Sequence, residues 1–237
     1  MGSVFQIVPR AVKCRARRRF SRQRIHTDTP LCTRRSGASY VEGVRFVSAR
    51  SALSSTGRSM SPLLCIAGPP GAGKSTVSAV VSGRLSRSVL IRGDAFYRFL
   101  DQGAVPAWLP EATEQNRVVI RASGAAAGRF ASGGYETVFD GVLGPWWLPT
   151  FFEAIEMDEL HYVVLLPSAD RCVQNVAARE GRVDERATRD MHFEFQRALT
   201  GLDARHVLTD PPDPDETAAE LLSRYQQRLL VYNGPPN

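Results

Sequence analysis

Gly68, Pro69, Pro70, Gly71, Ala72, Gly73, Lys74, Ser75 and Thr76 stand together in "GPPGAGKST", directly after the apolar run "LLCIA". The spacing satisfies G-x-x-x-x-G-K-[ST] between a predicted strand and a predicted helix, the context in which that spacing has a physical meaning. Glycine backbone can fold into a concavity whose N–H groups point inward, and the first turn of the following helix adds its own unpaired N–H groups and dipole. Such a concavity suits phosphate. Lys74 would bridge the β- and γ-phosphates of a nucleoside triphosphate, Ser75 would place its hydroxyl on Mg²⁺, and Thr76 supports the loop or the α-phosphate. The expected ligands are therefore ATP and Mg²⁺.

Two aspartates follow strand-like runs: Asp94 at the end of "SVLIRGD" and Asp140 in "YETVFDG". Ligand-facing residues of a parallel sheet gather at the carboxyl ends of its strands. Asp140 is expected to hold Mg²⁺, directly or through water, with an acceptor contact or a cap as its alternatives. Asp94, followed by aromatic "AFYRF", is read as the group that orients a substrate hydroxyl and takes its proton. Metal or acceptor binding and helix capping are its alternatives.

After the fourth strand-like run, Arg179, Arg182, Arg186 and Arg189 recur at helical spacing, interrupted by Gly181. Arg179, Arg182 and Arg186 are the candidates for a segment that closes over phosphates and neutralises charge on the transferred group. The alternative is a solvated face paired with Glu180, Asp184, Glu185 and Asp190. His192 fits a satisfied surface histidine or a base contact. Trp108, Trp146 and Trp147 fit a cleft lining or core filling equally. Arg117 and Arg121 read as surface residues.

The elements that must position these groups alternate. Strand patterns at "LLCIAG", "SVLIRGD", "YETVFDG", "LHYVVLLPS" and "RHVLTD" are separated by helical patterns, the last of which, "DPDETAAELLSRYQQRLL", carries aspartate for its cap. Apolar strands separated by helices predict a parallel sheet covered on both faces.

The chain of 237 residues carries a formal charge of +6, but residues 1–59 hold 13 Arg and Lys against Asp28 and Glu42, so the remainder is net acidic. The first 59 residues lack a sustained apolar period and predict a basic, disordered or non-native extension, with Met60 as an alternative start. Residues 60–237 predict one catalytic-type domain. Its acidity argues against an extended nucleic-acid-binding surface. No apolar run is long enough for a membrane span and no signal peptide is visible, so a cytoplasmic monomer or homodimer is expected. The four cysteines and four histidines show no zinc-ligand spacing.

Assembled, "GPPGAGKST", "RGD", "FDG" and "AAREGRVDERATRD" resemble the small P-loop kinase-like proteins labelled AAA-type ATPases, nearest the branch of chloramphenicol phosphotransferase, over about residues 61–232. The resemblance implies a three-layer α/β fold, a five-stranded parallel sheet of order 2-3-1-4-5 and a helical lid after the fourth strand. It also implies transfer of the γ-phosphate of ATP to a hydroxyl of a small molecule, with antibiotic-like acceptors among the candidates. A hydrolase or nucleotide-gated switch, or a nucleic-acid end kinase, are the alternatives. The segment after Asp140 lacks the arginine of adenylate-kinase-like enzymes, which disfavours a nucleoside monophosphate, and aromatic loops suit a neutral acceptor.

Overall fold

A computed structural model describes residues 61–178 and 184–234. In chain order the elements are β1 (Leu63–Ala67), α1 (Lys74–Arg84), β2 (Ser88–Arg92), α2 (Gly93–Tyr97), α3 (Thr113–Ser132), β3 (Glu136–Gly141), α4 (Leu148–Ile155), β4 (Leu160–Leu166), α5 (Ala169–Ala177), α6 (Glu185–Ala198), β5 (Val207–Thr209), α7 (Pro214–Gln226) and β6 (Val231–Tyr232). Five strands lie parallel in the order β2-β3-β1-β4-β5, as the family resemblance implies, and β6 adds an antiparallel pair to β4. That two-residue strand is too short to carry a readable period.

Every residue of β1 is buried, because helices cover both faces of the sheet. Successive side chains point to opposite faces. Leu63, Cys65 and Ala67 therefore join one core with Phe139, Phe151 and Tyr162, while Leu64 and Ile66 join the other with Val77, Val81 and Leu221. Cys65 is a core residue, as its place in the strand suggests.

The register matters to the site. Ile66 pairs with Asp140, and Asp140 in turn pairs with Arg92, so the ends of β1, β2 and β3 are level. The strand after "SVLI" ends at Arg92, and Asp94 lies in the first turn of α2, where the sequence reading had it closing the strand. Asp213 caps α7, accepting from the N–H groups of Asp215 and Glu216. Among the described residues no helix is long and apolar enough to cross a membrane.

Helices α3 and α4 meet at Gly128, where a Cβ would sit 2.0 Å from the carbonyl oxygen of Ile155. Helix propensity favours Ala over Gly by about 1 kcal/mol, but overpacking against backbone costs about 1–3 kcal/mol. Gly128→Ala is expected to lower stability by about 1–2 kcal/mol, read in thermal melts as a Tm lower by roughly 2–8 °C. A raised Tm, the outcome of helix propensity alone, would show that the two helices separate without penalty.

Candidate active site

The turn between β1 and α1 is built from residues that accept unusual backbone. Gly71 has φ 78° and Gly73 φ 88°, a region costly for side chains with a Cβ. At Gly71 a Cβ would also lie 2.1 Å from the carbonyl oxygen of Cys172 on α5. Gly73 is the N-cap of α1 and offers no side-chain cap, and the first turn of that helix carries no acid. With no side-chain cap, the start of this helix suits an outside anion, although the Thr76 N–H already donates to the Gly73 carbonyl oxygen at 3.1 Å.

Lys74 is 7% exposed, and its ammonium donates to the carbonyl oxygen of Pro69 at 2.9 Å, folding back across the loop. The Asn175 amide on α5 donates to the carbonyl oxygen of Gly71 at 2.8 Å. The loop is thus held from inside by its lysine and from outside by a neighbouring helix. No spacing in the sequence announces Asn175, because its partner is a backbone carbonyl over 100 residues away.

Asp140 is 5% exposed. Burial pushes its carboxyl above the ordinary range; hydrogen bonding from the Ser75 hydroxyl and the Lys74 charge pull it down, and Asp94 pushes it up again. Ser75 and Asp140 thus form a pair of hard oxygen donors of the kind Mg²⁺ takes alongside water and substrate phosphate oxygens. Among the described residues no cluster of three or more His, Cys, Asp and Glu could hold a metal alone. The donor set fits a metal that arrives with a phosphorylated substrate.

A cavity of about 670 Å³ runs from Pro70, Gly71, Lys74 and Ser75 to Asp94 and Tyr97. Burial, and then the charge of Asp94, push the Tyr97 hydroxyl up to about 12, so it remains a neutral donor. Beyond Asp94 the walls turn aromatic. Trp108, Trp146 and Trp147 all line this space, and Trp147 packs on the core as well, so it answers to both the cleft and the core reading. The edge of Trp146 packs on Phe195 with ring centroids 5.1 Å apart, and the Tyr162 hydroxyl donates to the carbonyl oxygen of Leu143 at 2.7 Å, anchoring the preceding turn to the core. Arg98 and Asn116, which the sequence reading did not single out, line the same cavity.

The arginine segment is divided. Arg179 and Arg182 lie outside the described residues. Asp184 caps α6, its carboxylate accepting from the N–H of Ala187 at 2.6 Å, so Arg186 and Arg189 belong to a helix separate from α5. The Arg186 side chain is 92% exposed and lies 3.7 Å from Asp190, away from the cavity lining. Arg189 pairs with Asp170 and Glu185, tying α6 to α5. Ala187, Met191 and Val176 are what these helices present to the cavity. His192 is satisfied by the carbonyl oxygen of Pro167 at 2.8 Å. Arg117 and Arg121 pair with Glu114 and Glu153 on the surface.

A parallel sheet of this order, with a glycine turn and lysine between the central strand and its helix and a helical pair after β4, defines the P-loop NTPase fold. Residues 63–198 match the AAA domain family, and the chain belongs to it. No curated protein matches the sequence. Among solved structures, the tunicamycin resistance protein of Deinococcus radiodurans is similar with TM-score 0.52 and 15% identity, covering 74% of this chain and 99% of that one. A sugar kinase from a Janibacter species is similar at TM-score 0.52 and 15% identity, covering 70% and 95%. A chain of the Pnkp1/Rnl/Hen1 RNA repair complex has TM-score 0.50 and 17% identity, covering 61% and 47%. These likenesses are of fold.

The buried Asp140 has a consequence for stability. Its carboxyl is raised in the folded chain, so folding takes up a proton in the window between the ordinary and the raised value. Stability is lost as pH rises through that window, and the penalty is fully present above it. Asp140→Asn keeps an acceptor for Ser75 without the charge, so it is expected to melt higher than the wild type at neutral pH. The difference should close in acid below the ordinary carboxylate range. Equal melts at neutral pH would show that the charge is not a burden there.

Proposed function

We propose that this chain is an ATP- and Mg²⁺-dependent phosphotransferase that moves the γ-phosphoryl group to a hydroxyl of a small molecule. The observation that carries this reading is the continuity of one cavity from Lys74 and Ser75 to Asp94 and on to an aromatic compartment. A hydrolase needs room only for water beyond the phosphate loop, whereas here the space continues past Asp94 between Trp108, Trp146 and Trp147.

In this reading the backbone N–H groups of the loop between Gly68 and Thr76, where Pro69 and Pro70 offer none, hold the triphosphate, and Lys74 carries charge opposite its terminal phosphates. Ser75 and Asp140 would hold Mg²⁺, which when bound screens the phosphate charge. Asp94 accepts the proton of the substrate hydroxyl as the oxygen bonds to the γ-phosphorus and the bond to ADP breaks. Arg179, Arg182 and Arg186 are proposed to neutralise charge on the transferred group; for Arg186 this requires α6 to move, because its side chain faces solvent.

The names of two similar structures agree with this reading, one being a sugar kinase and the other a tunicamycin resistance protein. Antibiotic-like alcohols, as the likeness to chloramphenicol phosphotransferase implies, are the first acceptors to try. The decisive experiment is ADP release with hydroxylated metabolites and antibiotics against a no-acceptor control, with the product phosphate located by mass. Acceptor-dependent turnover is expected; basal hydrolysis unchanged by every acceptor would favour a hydrolase or switch. Lys74→Ala should reduce turnover by about 10²–10³-fold. Asp94→Asn should reduce kcat by about 10²–10⁴-fold with ATP affinity retained, and a normal acceptor-dependent rate in that variant would remove Asp94 from its role.

A further inference from the structure

Three buried side-chain atoms have no hydrogen-bond partner among the described residues: Ser78 Oγ, Asn116 Oδ1 and His161 Nδ1. Only Asn116 lines the cavity. It is 7% exposed, on the first turns of α3, among Val119, Ile120 and Trp108 of the same wall.

The orientation of its amide is determined. Asn116 Nδ2 donates to the carbonyl oxygen of Ala107 at 2.7 Å. Turning the amide over would set two oxygens against each other. The adjacent Gln115 holds both backbone groups of Val105, accepting from its N–H at 2.8 Å and donating to its carbonyl oxygen at 2.7 Å. Two consecutive side chains of α3 therefore staple the segment before Trp108, and one end of the Asn116 amide is consumed in doing so. The other end, Oδ1, is a buried carbonyl oxygen with nothing donating to it, a state that costs about 1–3 kcal/mol.

We infer that Asn116 is a specificity-determining residue whose Oδ1 accepts a hydrogen bond from an N–H or O–H group of the phosphoryl acceptor. The inference rests on the proposed phosphotransfer. It names the acceptor class: a polyfunctional alcohol with the reacting hydroxyl at Asp94, an apolar body between the tryptophans, and a second donor at Asn116. Oδ1 is shielded from water, so a wall side chain must yield for the donor to reach it. Shielding also means that the donor meets little competition from water, and a site with such an atom rejects an analogue that leaves it unpaired.

The three tryptophans of the chain all line this cavity, so intrinsic fluorescence reports its occupancy without turnover. The probes are matched pairs of alcohols on one skeleton, such as N-acetylphenylalaninol with its N-methyl derivative and 3-phenylpropane-1,2-diol with its 2-O-methyl ether. Binding by fluorescence and kcat/KM by ADP release are measured for wild type and Asn116→Leu, with Asn116→Ala as the second variant should the first not fold. Wild type is expected to prefer a donor-bearing member by about 10- to 100-fold, and the preference should fall to about 2-fold or less in the variant, chiefly through affinity and KM. Pairs phosphorylated without discrimination, or discrimination that persists in both variants, would overturn the inference while leaving phosphotransfer standing. Failure of every probe to bind counts against this assignment of the acceptor class. Failure of all alcohols in the broader acceptor screen counts against phosphotransfer itself.

Discussion

The rest of the site depends on a steric constraint at Gly71. Its backbone turns into the left-handed region while pressed against the Cys172 carbonyl of α5, and its own carbonyl receives the Asn175 amide from the same helix. A concave turn of N–H groups stays open only if something outside holds it, because unbound amides otherwise find partners within the chain. Helix α5 supplies that hold, and Lys74 closes the inner side through Pro69. The loop that would receive phosphate is thereby shaped before any ligand arrives, so little ordering cost is left to binding.

The same arrangement sets a charge where the fold alone would not have one. Asp140 is buried in the third strand, level with Ile66 and Arg92. Burial disfavours its carboxylate, and Ser75 and Lys74 compensate only in part. An isolated buried carboxylate is a liability for folding and an asset for a site that receives a cation. Asp94 adds to that repulsion, yet it lies on the short helix after β2 beside solvent, where a charge needs less compensation. The two acids differ in environment, and their proposed roles differ accordingly.

Away from the phosphate loop, backbone contacts made by side chains distant in sequence shape the acceptor compartment. Gln115 and Asn116 hold the loop before Trp108, and Tyr162, from the centre of the sheet, holds the turn before Trp146. The compartment is thus attached to the rigid core at both sides. Across from it, α6 is joined to α5 by the Arg189–Asp170 ion pair, which is exposed and weak in water, and sets Phe195 into the core.

By itself the sequence determined a parallel sheet covered on both faces, through the alternation of strand and helix patterns, while the order of its strands came only with the family resemblance; it also determined the phosphate loop, because the glycines, lysine and hydroxyl are contiguous there. The cap at Asp213 and the core place of Cys65 were legible for the same reason: the information is local. Tertiary structure alone decided that Asp94 belongs to a helix, that all three tryptophans share one cavity, that Arg186 faces solvent, and that Asn116 in the cavity wall carries a buried oxygen with no partner among the described residues. Each of these depends on a neighbour that packing supplies, a backbone carbonyl or an opposing wall whose position no spacing along the chain records. Side-chain chemistry can be read one residue at a time, whereas the partner that satisfies or abandons a buried group is chosen by the fold.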